Sequence, residues 1–205
     1  MQSAKYILSR AIRKILNPPA IDHSTISKSA RCDIGTVVSS SSMGDYSYIG
    51  EFTHLLYTDV GKFCSISNYC AIGGASHPLK WVSMSPAFND SKGMMKSKIA
   101  HFHYEPFIRT NIGNDVWIGS HCLIKAGITI ADGAVIGMGS VVTHDVGPYE
   151  IWAGNPAICI KKRFPDDDIK RLISVAWWEW DEGKIADCAN TFNNVNKMLE
   201  YVEGK

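Results

Sequence analysis

A six-residue repeat constrains this chain more than any other feature of its sequence. A branched aliphatic residue recurs at every sixth position in the second half of the chain, at Ile112, Ile118, Ile124, Ile130, Ile136 and Val142. An earlier block shows the same spacing at Val60, Ile66 and Ile72, and weaker copies lie out of register at Ile34 and Ile49. A period of six fits neither an α-helix nor an alternating strand, but it is typical of a parallel β-helix.

In such a β-helix each hexad forms one short strand and a turn, and three hexads close one coil of a three-sided prism. The aliphatic residues point inward, and because no single coil can bury its own interior, the coils must stack. The alternative is a β-sandwich with chance spacing, which the unbroken run of hexads disfavours. The repeat therefore predicts an all-β solenoid with coils of 18 residues.

The cysteines follow the same pattern. Cys64, Cys70 and Cys122 each lie two positions before a repeat aliphatic, where a small inward group is expected. The six cysteines contain no CxxC pair, so we interpret them as buried free thiols rather than metal ligands or disulfides. The N-terminal apolar residues are interrupted by arginine and lysine, unlike a secretory signal. Both observations favour a cytoplasmic location.

Charge and hydropathy exclude two broad classes of function. Lys and Arg total 21 and Asp and Glu total 20, so the net charge is +1 and no general affinity for nucleic acid is expected. No apolar run approaches the roughly 20 residues that cross a bilayer.

Residues 1–19 are interpreted as an amphipathic helical unit. Apolar residues recur at helical spacing between positions 5 and 16, and Pro18 and Pro19 end the helix. This helix could pack on the main domain or on a neighbouring subunit. Alternatively, residues 1–17 could rest on an anionic membrane surface, which would place the protein at the inner face of the membrane.

The remaining chain divides into a solenoid over residues 20–160 and a helical extension over residues 161–205. Within the solenoid the repeat breaks at residues 75–109, which we expect to form a protruding functional loop. Trp177, Trp178 and Trp180 are expected to pack the extension onto the end of the solenoid and cover its last strand edge.

Several segments in fixed order resemble the hexapeptide-repeat acyltransferases, and in particular the xenobiotic (chloramphenicol and streptogramin) acetyltransferase branch with its relatives that O-acetylate surface polysaccharides. The resemblance covers roughly residues 30–190 and rests on the hexads, the loop containing His77, and residues 112–119, 133–143, 154–157, 161–163 and 177–180. It implies a left-handed β-helix, a homotrimer, acetyl-CoA as the donor, and active sites in clefts between subunits.

The resemblance assigns the catalytic base to His77. An acceptor hydroxyl is a poor nucleophile and must lose its proton as it attacks the thioester. An imidazole has an ordinary pKa of about 6.5, so it can take that proton and return it to the departing thiolate. No covalent enzyme intermediate is required. A metal cluster of the other histidines lacks ligand spacing and is not expected.

The same resemblance places further residues in the site. The positions expected to line or approach the cofactor are Gly119, Ser120, Ala126, Gly137, Met138, Thr143, Lys161 and Lys162. The two lysines are expected at the phosphates, although a solvated charge run is the alternative. Trp81 and Phe88 are aromatic loop residues that would suit a sugar face or a drug ring.

The sequence thus predicts an acetyl-CoA-dependent O-acetyltransferase acting on a sugar hydroxyl of a surface polysaccharide or its precursor. Antibiotic O-acetylation and sugar N-acetylation are the alternatives among enzymes. A non-catalytic β-helix scaffold is the alternative from another class.

Overall fold

Short parallel strands wind into a three-faced β-solenoid, as the six-residue repeat predicts. The structure is a computed structural model that describes residues 4–92 and 95–204. Its strands, in chain order, are β1 (Ala20–Asp22), β2 (Thr25–Ile26), β3 (Arg31–Cys32), β4 (Val37–Ser39), β5 (Ser42–Met43), β6 (Tyr48–Ile49), β7 (His54–Leu56), β8 (Thr58–Val60), β9 (Ser65–Ile66), β10 (Ala71–Gly73), β11 (Thr110–Ile112), β12 (Trp117–Ile118), β13 (Leu123–Ile124), β14 (Thr129–Ile130), β15 (Val135–Ile136), β16 (Val141–Val142), β17 (Glu150–Gly154) and β18 (Ala157–Lys162).

From β1 to β16, successive strands join the three faces in turn, and β17 and β18 both join face 3. Face 1 stacks β1, β4, β7, β10, β13 and β16; face 2 stacks β2, β5, β8, β11 and β14; face 3 stacks β3, β6, β9, β12, β15, β17 and β18. Repeat aliphatics lie in register inside the prism: Ile66 pairs with Ile118, and Ile118 pairs with Ile136. These three side chains have no exposed surface, so the hexad spacing is the spacing of the core.

Coil length differs between the two ends of the solenoid. Ala20 pairs with Val37 and Val37 pairs with His54, a step of 17 residues, whereas Asn111 pairs with Thr129, a step of 18. The expectation of 18 residues in every coil is therefore wrong for the N-terminal coils. The shorter step is the reason that Ile49, which pairs with Ile66, falls out of register with the later hexads. One coil earlier the residue that pairs with Ile49 is Cys32, so Ile34 does not occupy the repeat position.

Residues with positive φ form a column along each edge where two faces meet. The edge between faces 3 and 1 contains Phe52, Tyr69 and His121, with φ of 55°, 59° and 61°. A left-handed conformation costs a non-glycine residue about 1 kcal/mol. Here the rings stack, with centroids 5.5 Å apart for Phe52 and Tyr69 and 5.1 Å apart for Tyr69 and His121, which offsets that cost.

Three cysteines fill the inward positions predicted for them. Cys64, Cys70 and Cys122 are buried, and burial raises the pKa of the Cys64 thiol to about 12. Cys159 is exposed and Cys32 is half-buried, so the interpretation of all six cysteines as buried is wrong for these two. All six are free thiols.

The long loop leaves the prism where face 1 meets face 2. It connects β10 with β11, and a bridge between Ala75 and Phe107 closes its base. Phe107 stacks on Tyr57, which lies on the same edge one coil earlier. A short 3-10 helix at Pro86–Phe88 lies inside the loop.

Helix α1 (Ala4–Leu16) precedes the solenoid. The C-terminal extension contains α2 (Asp166–Val175), α3 (Glu182–Cys188) and α4 (Val195–Glu203). The last coil is covered by β18, which pairs antiparallel with β17. The helices instead run along the edge between faces 2 and 3, where Trp177 packs on Phe63 with centroids 4.8 Å apart. The expectation that the tryptophans cover the end of the solenoid is therefore wrong.

The helices of the described chain are all too short or too polar to cross a lipid bilayer.

Candidate active site

His77 lies on the loop, three residues after Gly74, with an exposed side chain. Its Nδ1 lies 3.0 Å from the carbonyl oxygen of Met84. A carbonyl oxygen can only accept a hydrogen bond, so Nδ1 carries the proton and donates it. The lone pair of the neutral ring is thereby fixed on Nε2, which is the nitrogen available to act as a base.

The polypeptide around His77 is held by hydrogen bonds at the base of the loop. The backbone N–H of Ser76 donates to the carbonyl of Pro106 at 2.7 Å, and the Ser76 and Tyr104 hydroxyls lie 2.8 Å apart. His77 and Tyr104 line a cavity of about 440 Å³ together with Tyr57, Lys92 and Glu105. This cavity is large enough for part of an acceptor beside the imidazole.

Trp81 and Phe88 come together on a second, more apolar cavity of the loop. This cavity measures about 550 Å³, and its remaining walls are Lys80, Val82, Ser83 and Phe102. The Trp81 ring meets Phe102 and Tyr104 edge-to-face, with centroids 5.9 and 5.7 Å away. Tyr104 lines the first cavity and contacts Trp81 in the wall of the second, so the two cavities are neighbours.

Other polar groups of the loop have structural partners. Glu105 accepts a hydrogen bond from the backbone N–H of Phe107 at 3.1 Å, while the partner of His77 is the Met84 carbonyl. His103 lies 2.8 Å from Asp90, and this hydrogen bond holds the pKa of the Asp90 carboxyl below its usual range. The backbone carbonyl that orients His77 carries no signal in a sequence.

The residues expected to line the cofactor lie on two different edges of the prism. Ala126 and Thr143 lie at the edge where the loop emerges, whereas Ser120 and Met138 lie at the edge between faces 3 and 1, next to His121. Six residues separate His121 from Gly127 across face 1, or roughly 15–20 Å. One chain alone therefore brings only Ala126 and Thr143 to the edge that carries His77.

The two predicted glycines are required by the stacking of coils. A Cβ atom on Gly119 would lie 2.6 Å from the backbone nitrogen of Met138, and one on Gly137 would lie 3.0 Å from the Cβ of Ala153. The close packing of neighbouring coils therefore requires glycine at these two positions, independently of any contact with a cofactor.

The two predicted phosphate ligands, Lys161 and Lys162, are consecutive residues of β18, and both side chains are exposed. The ammonium of Lys162 lies 2.6 Å from Asp166, which raises the pKa of Lys162 and partly neutralises its charge. Lys161 is therefore the better placed of the two to meet an anionic phosphate.

An exposed apolar surface surrounds the edge between faces 3 and 1. It consists of large apolar residues that are each about half exposed or more: Tyr48, Tyr69, Trp117, Leu123 and Met138. Patches of this kind mark sites of interaction with other molecules. In contrast, the described residues contain no group of three His, Cys, Asp or Glu side chains that could hold a metal ion.

Comparison with known proteins gives a consistent family. Residues 109–144 match the family model "Bacterial transferase hexapeptide (six repeats)". A chloramphenicol acetyltransferase of Agrobacterium fabrum (strain C58 / ATCC 33970) is 46% identical over 147 residues, which cover 69% of this chain and 70% of the relative. A probable macrolide acetyltransferase of Lysinibacillus sphaericus is 40% identical over 131 residues, covering 62% of this chain and 72% of the relative.

Among solved structures, an N-acyltransferase from Bacillus cereus in complex with dTDP and 3-hydroxybutyryl-CoA shares the fold. Its TM-score is 0.57 at 19% identity, and the match covers 89% of this chain and 96% of that one. At this identity the likeness concerns the fold alone.

Proposed function

The chain belongs to the hexapeptide-repeat acetyltransferases, and from this we propose that it transfers an acetyl group from acetyl-CoA to a hydroxyl group, with His77 as general base. The observation that carries the proposal is the hydrogen bond from Nδ1 of His77 to the Met84 carbonyl, 3.0 Å long, because it leaves Nε2 unprotonated. The relatives supply the reaction class, and the loop geometry supplies the base.

In the proposed reaction Nε2 takes the proton of the acceptor hydroxyl while its oxygen attacks the thioester carbonyl carbon. A bond forms between that oxygen and the acyl carbon, and the bond from carbon to sulfur then breaks. The imidazolium returns the proton to the departing thiolate, so the products are the acetyl ester and CoA-SH. The Met84 carbonyl stabilises the imidazolium because the N–H that it accepts becomes more acidic.

The first candidate acceptor is an apolar, drug-like alcohol such as chloramphenicol. Both relatives described above are antibiotic acetyltransferases by name. The cavity beside Trp81 and Phe88 has aromatic and aliphatic walls, which suits such a molecule. This reverses the order of acceptors expected from the sequence.

The second candidate acceptor is a sugar hydroxyl of a surface polysaccharide or its precursor. It is favoured by the edge-to-face cluster of Trp81, Phe102 and Tyr104, since aromatic faces also bind sugar rings. A panel of chloramphenicol, nucleotide sugars and oligosaccharides, followed by mass spectrometry, separates the two acceptors by which one gains an acetyl group.

The activity is tested by measuring release of the CoA thiol. We expect His77→Ala to lower kcat at least about 100-fold, while the affinity for CoA measured by calorimetry changes little. The matched control is His103→Ala, another exposed histidine of the same loop, whose activity should stay within about threefold of the unmodified protein. Substantial activity in His77→Ala would remove His77 from its role.

We also propose that the active enzyme is a homotrimer with each site shared between two chains. The predicted cofactor residues on two edges can meet around one CoA only if a neighbour brings Ser120 and Met138 to the edge that carries His77. The exposed apolar surface around Trp117 and Leu123 is suited to such a contact.

Sharing is tested by co-expressing two inactive chains, His77→Ala and Met138→Glu. Random mixing in a shared-site trimer leaves about a quarter of the sites with both intact halves, so activity should partly return. No recovery from chains shown by sedimentation to co-assemble would contradict a shared site.

A cytoplasmic location is part of the same proposal. The donor acetyl-CoA is a cytoplasmic metabolite, and free buried thiols such as Cys64 and Cys122 persist in a reducing compartment.

A further inference from the structure

Helix α1 borders the solenoid with Arg13 and with Ile7, Ala11 and Lys14, while its other large apolar side chains are exposed. Nη2 of Arg13 lies 2.6 Å from a carboxylate oxygen of Glu51, so the guanidinium of Arg13 is joined to the solenoid. At about 100° per residue, Leu8 and Ile15 point some 140–160° away from Arg13. A helix that packs on its own domain has the opposite arrangement, with the apolar stripe inward.

The apolar face of α1 is accordingly exposed. Leu8, Ile15 and Leu16 have 62%, 78% and 71% of their surface accessible, and Ile7 and Ile12 are also exposed. Ile7, Ala11 and Lys14 line a groove between the helix and the first coils, so this side of the helix faces the chain's own solenoid. The apolar residues outside that groove are Leu8, Ile12, Ile15 and Leu16. Packing on the main domain therefore does not account for this surface.

Charge indicates what covers the face. The sequence has four basic residues and no acidic residue before Asp22. On the helix surface Lys5 lies next to Leu16 at the border of the apolar face away from the groove, and Lys14 lies next to Ile7 at the border that also lines the groove. Ammonium groups on both borders are placed to meet lipid phosphates while the aliphatics enter the acyl boundary. A second copy of the helix would instead bring like charges together.

We propose that α1 docks the protein on an anionic lipid surface, lying in the plane of the membrane with Leu8 and Ile15 at the centre of its buried face. Its 13 residues measure about 20 Å, which suits a surface helix and is too short for a span. The active-site loop arises from a different part of the fold, so docking and acetyl transfer are separable.

The test is co-sedimentation of the full-length protein with vesicles of phosphatidylcholine alone or mixed with phosphatidylglycerol. We expect binding to the mixed vesicles, weakened by added salt, and little binding to phosphatidylcholine. The double variant Leu8→Ser/Ile15→Ser should bind at least about tenfold more weakly. Lys5→Gln/Lys14→Gln should lose most of the preference for anionic vesicles.

The matched control is Ile158→Ser/Ile160→Ser, two aliphatics on β18 with comparable exposure of 62% and 57%. Its vesicle binding should be unchanged, and thermal melting should show that every variant is folded. Undiminished binding of Leu8→Ser/Ile15→Ser would overturn the proposal. The proposal would also be overturned if Leu8→Ser/Ile15→Ser sedimented differently from the unmodified protein in the absence of lipid but bound vesicles equally well. That result would show that a second copy of the chain covers the apolar face. Thiol release with a soluble acceptor, measured on the same variants, reports separately on the enzyme.

Discussion

The ring of Phe107 lies flat on the ring of Tyr57, with centroids 4.0 Å apart and planes 5° from parallel. The two residues belong to different parts of the chain: Phe107 ends the loop, and Tyr57 is fixed on the edge of the prism. This stack and the bridge from Ala75 to Phe107 hold the base of the loop that carries His77.

Removal of the stack should affect catalysis more than stability. We expect Phe107→Ala to lower kcat/KM for the acceptor about tenfold, because a looser base misplaces the imidazole. The melting temperature should change little, since the strands of the prism keep their partners. Phe107→Tyr keeps the flat ring and should retain near-normal activity; an equal loss in both variants would contradict the anchoring role.

His77→Asn separates the position of the loop from proton transfer. The asparagine amide can still donate to the Met84 carbonyl, but it has no nitrogen lone pair that can take a proton. We expect kcat to fall as far as in His77→Ala, at least about 100-fold, measured by thiol release. If His77→Asn keeps most of its activity, the histidine serves only to hold the loop.

Gly119→Ala should destabilise the solenoid. The new Cβ would lie 2.6 Å from the backbone nitrogen of Met138, so two coils would have to move apart, at a cost of about 2–3 kcal/mol in urea unfolding. Gly139→Ala is the control. Its Cβ would meet nothing within 4 Å, and with φ at 71° the cost should be only about 1 kcal/mol. Equal effects would show that crowding at Gly119 is relieved without strain.

Asp115 should make stability depend on pH. It lies 3.0 Å from Arg163 under the C-terminal helices, yet burial raises the pKa of its carboxyl above the ordinary value of 3.8. The folded protein therefore holds this proton more tightly than the unfolded chain does. The free energy of unfolding contributed by Asp115 should fall as pH rises above about 3.8 and level off once the folded carboxyl is ionised.

Urea unfolding of the unmodified protein and of Asp115→Asn at several values between about pH 4 and pH 7 measures this contribution as a difference. The free energy of unfolding of the unmodified protein minus that of Asp115→Asn should fall as pH rises; a rise with pH would contradict the raised pKa of Asp115.

The core could be predicted from sequence because each repeat aliphatic has to point inward. Ile118 and Ile136 are buried where the hexads place them. The N-terminal coils were harder to predict because a 17-residue step removes the simple period, and because Tyr46 and Phe52 occupy left-handed turn positions where glycine is expected. Stacking between coils, which only the folded chain shows, permits those residues.

The active site was predictable in part. His77 was found through the resemblance and the break in the repeat, but its partner is a backbone carbonyl of Met84, which has no residue type to detect. The separation of Ser120 and Met138 from the loop edge depends on which side of face 1 each turn occupies. The position of the C-terminal extension beside Phe63 likewise depends on contacts between residues more than 100 positions apart, such as Phe63 and Trp177.

The loop enters and leaves the prism through one edge, between β10 and β11, and the strands on either side keep their register: Ala71 pairs with Leu123, and Thr58 pairs with Thr110. Such an excursion can be lengthened, shortened or exchanged without shifting any coil. Insertions and deletions in this loop can therefore change the proposed acceptor site while the stacked coils keep their pairing.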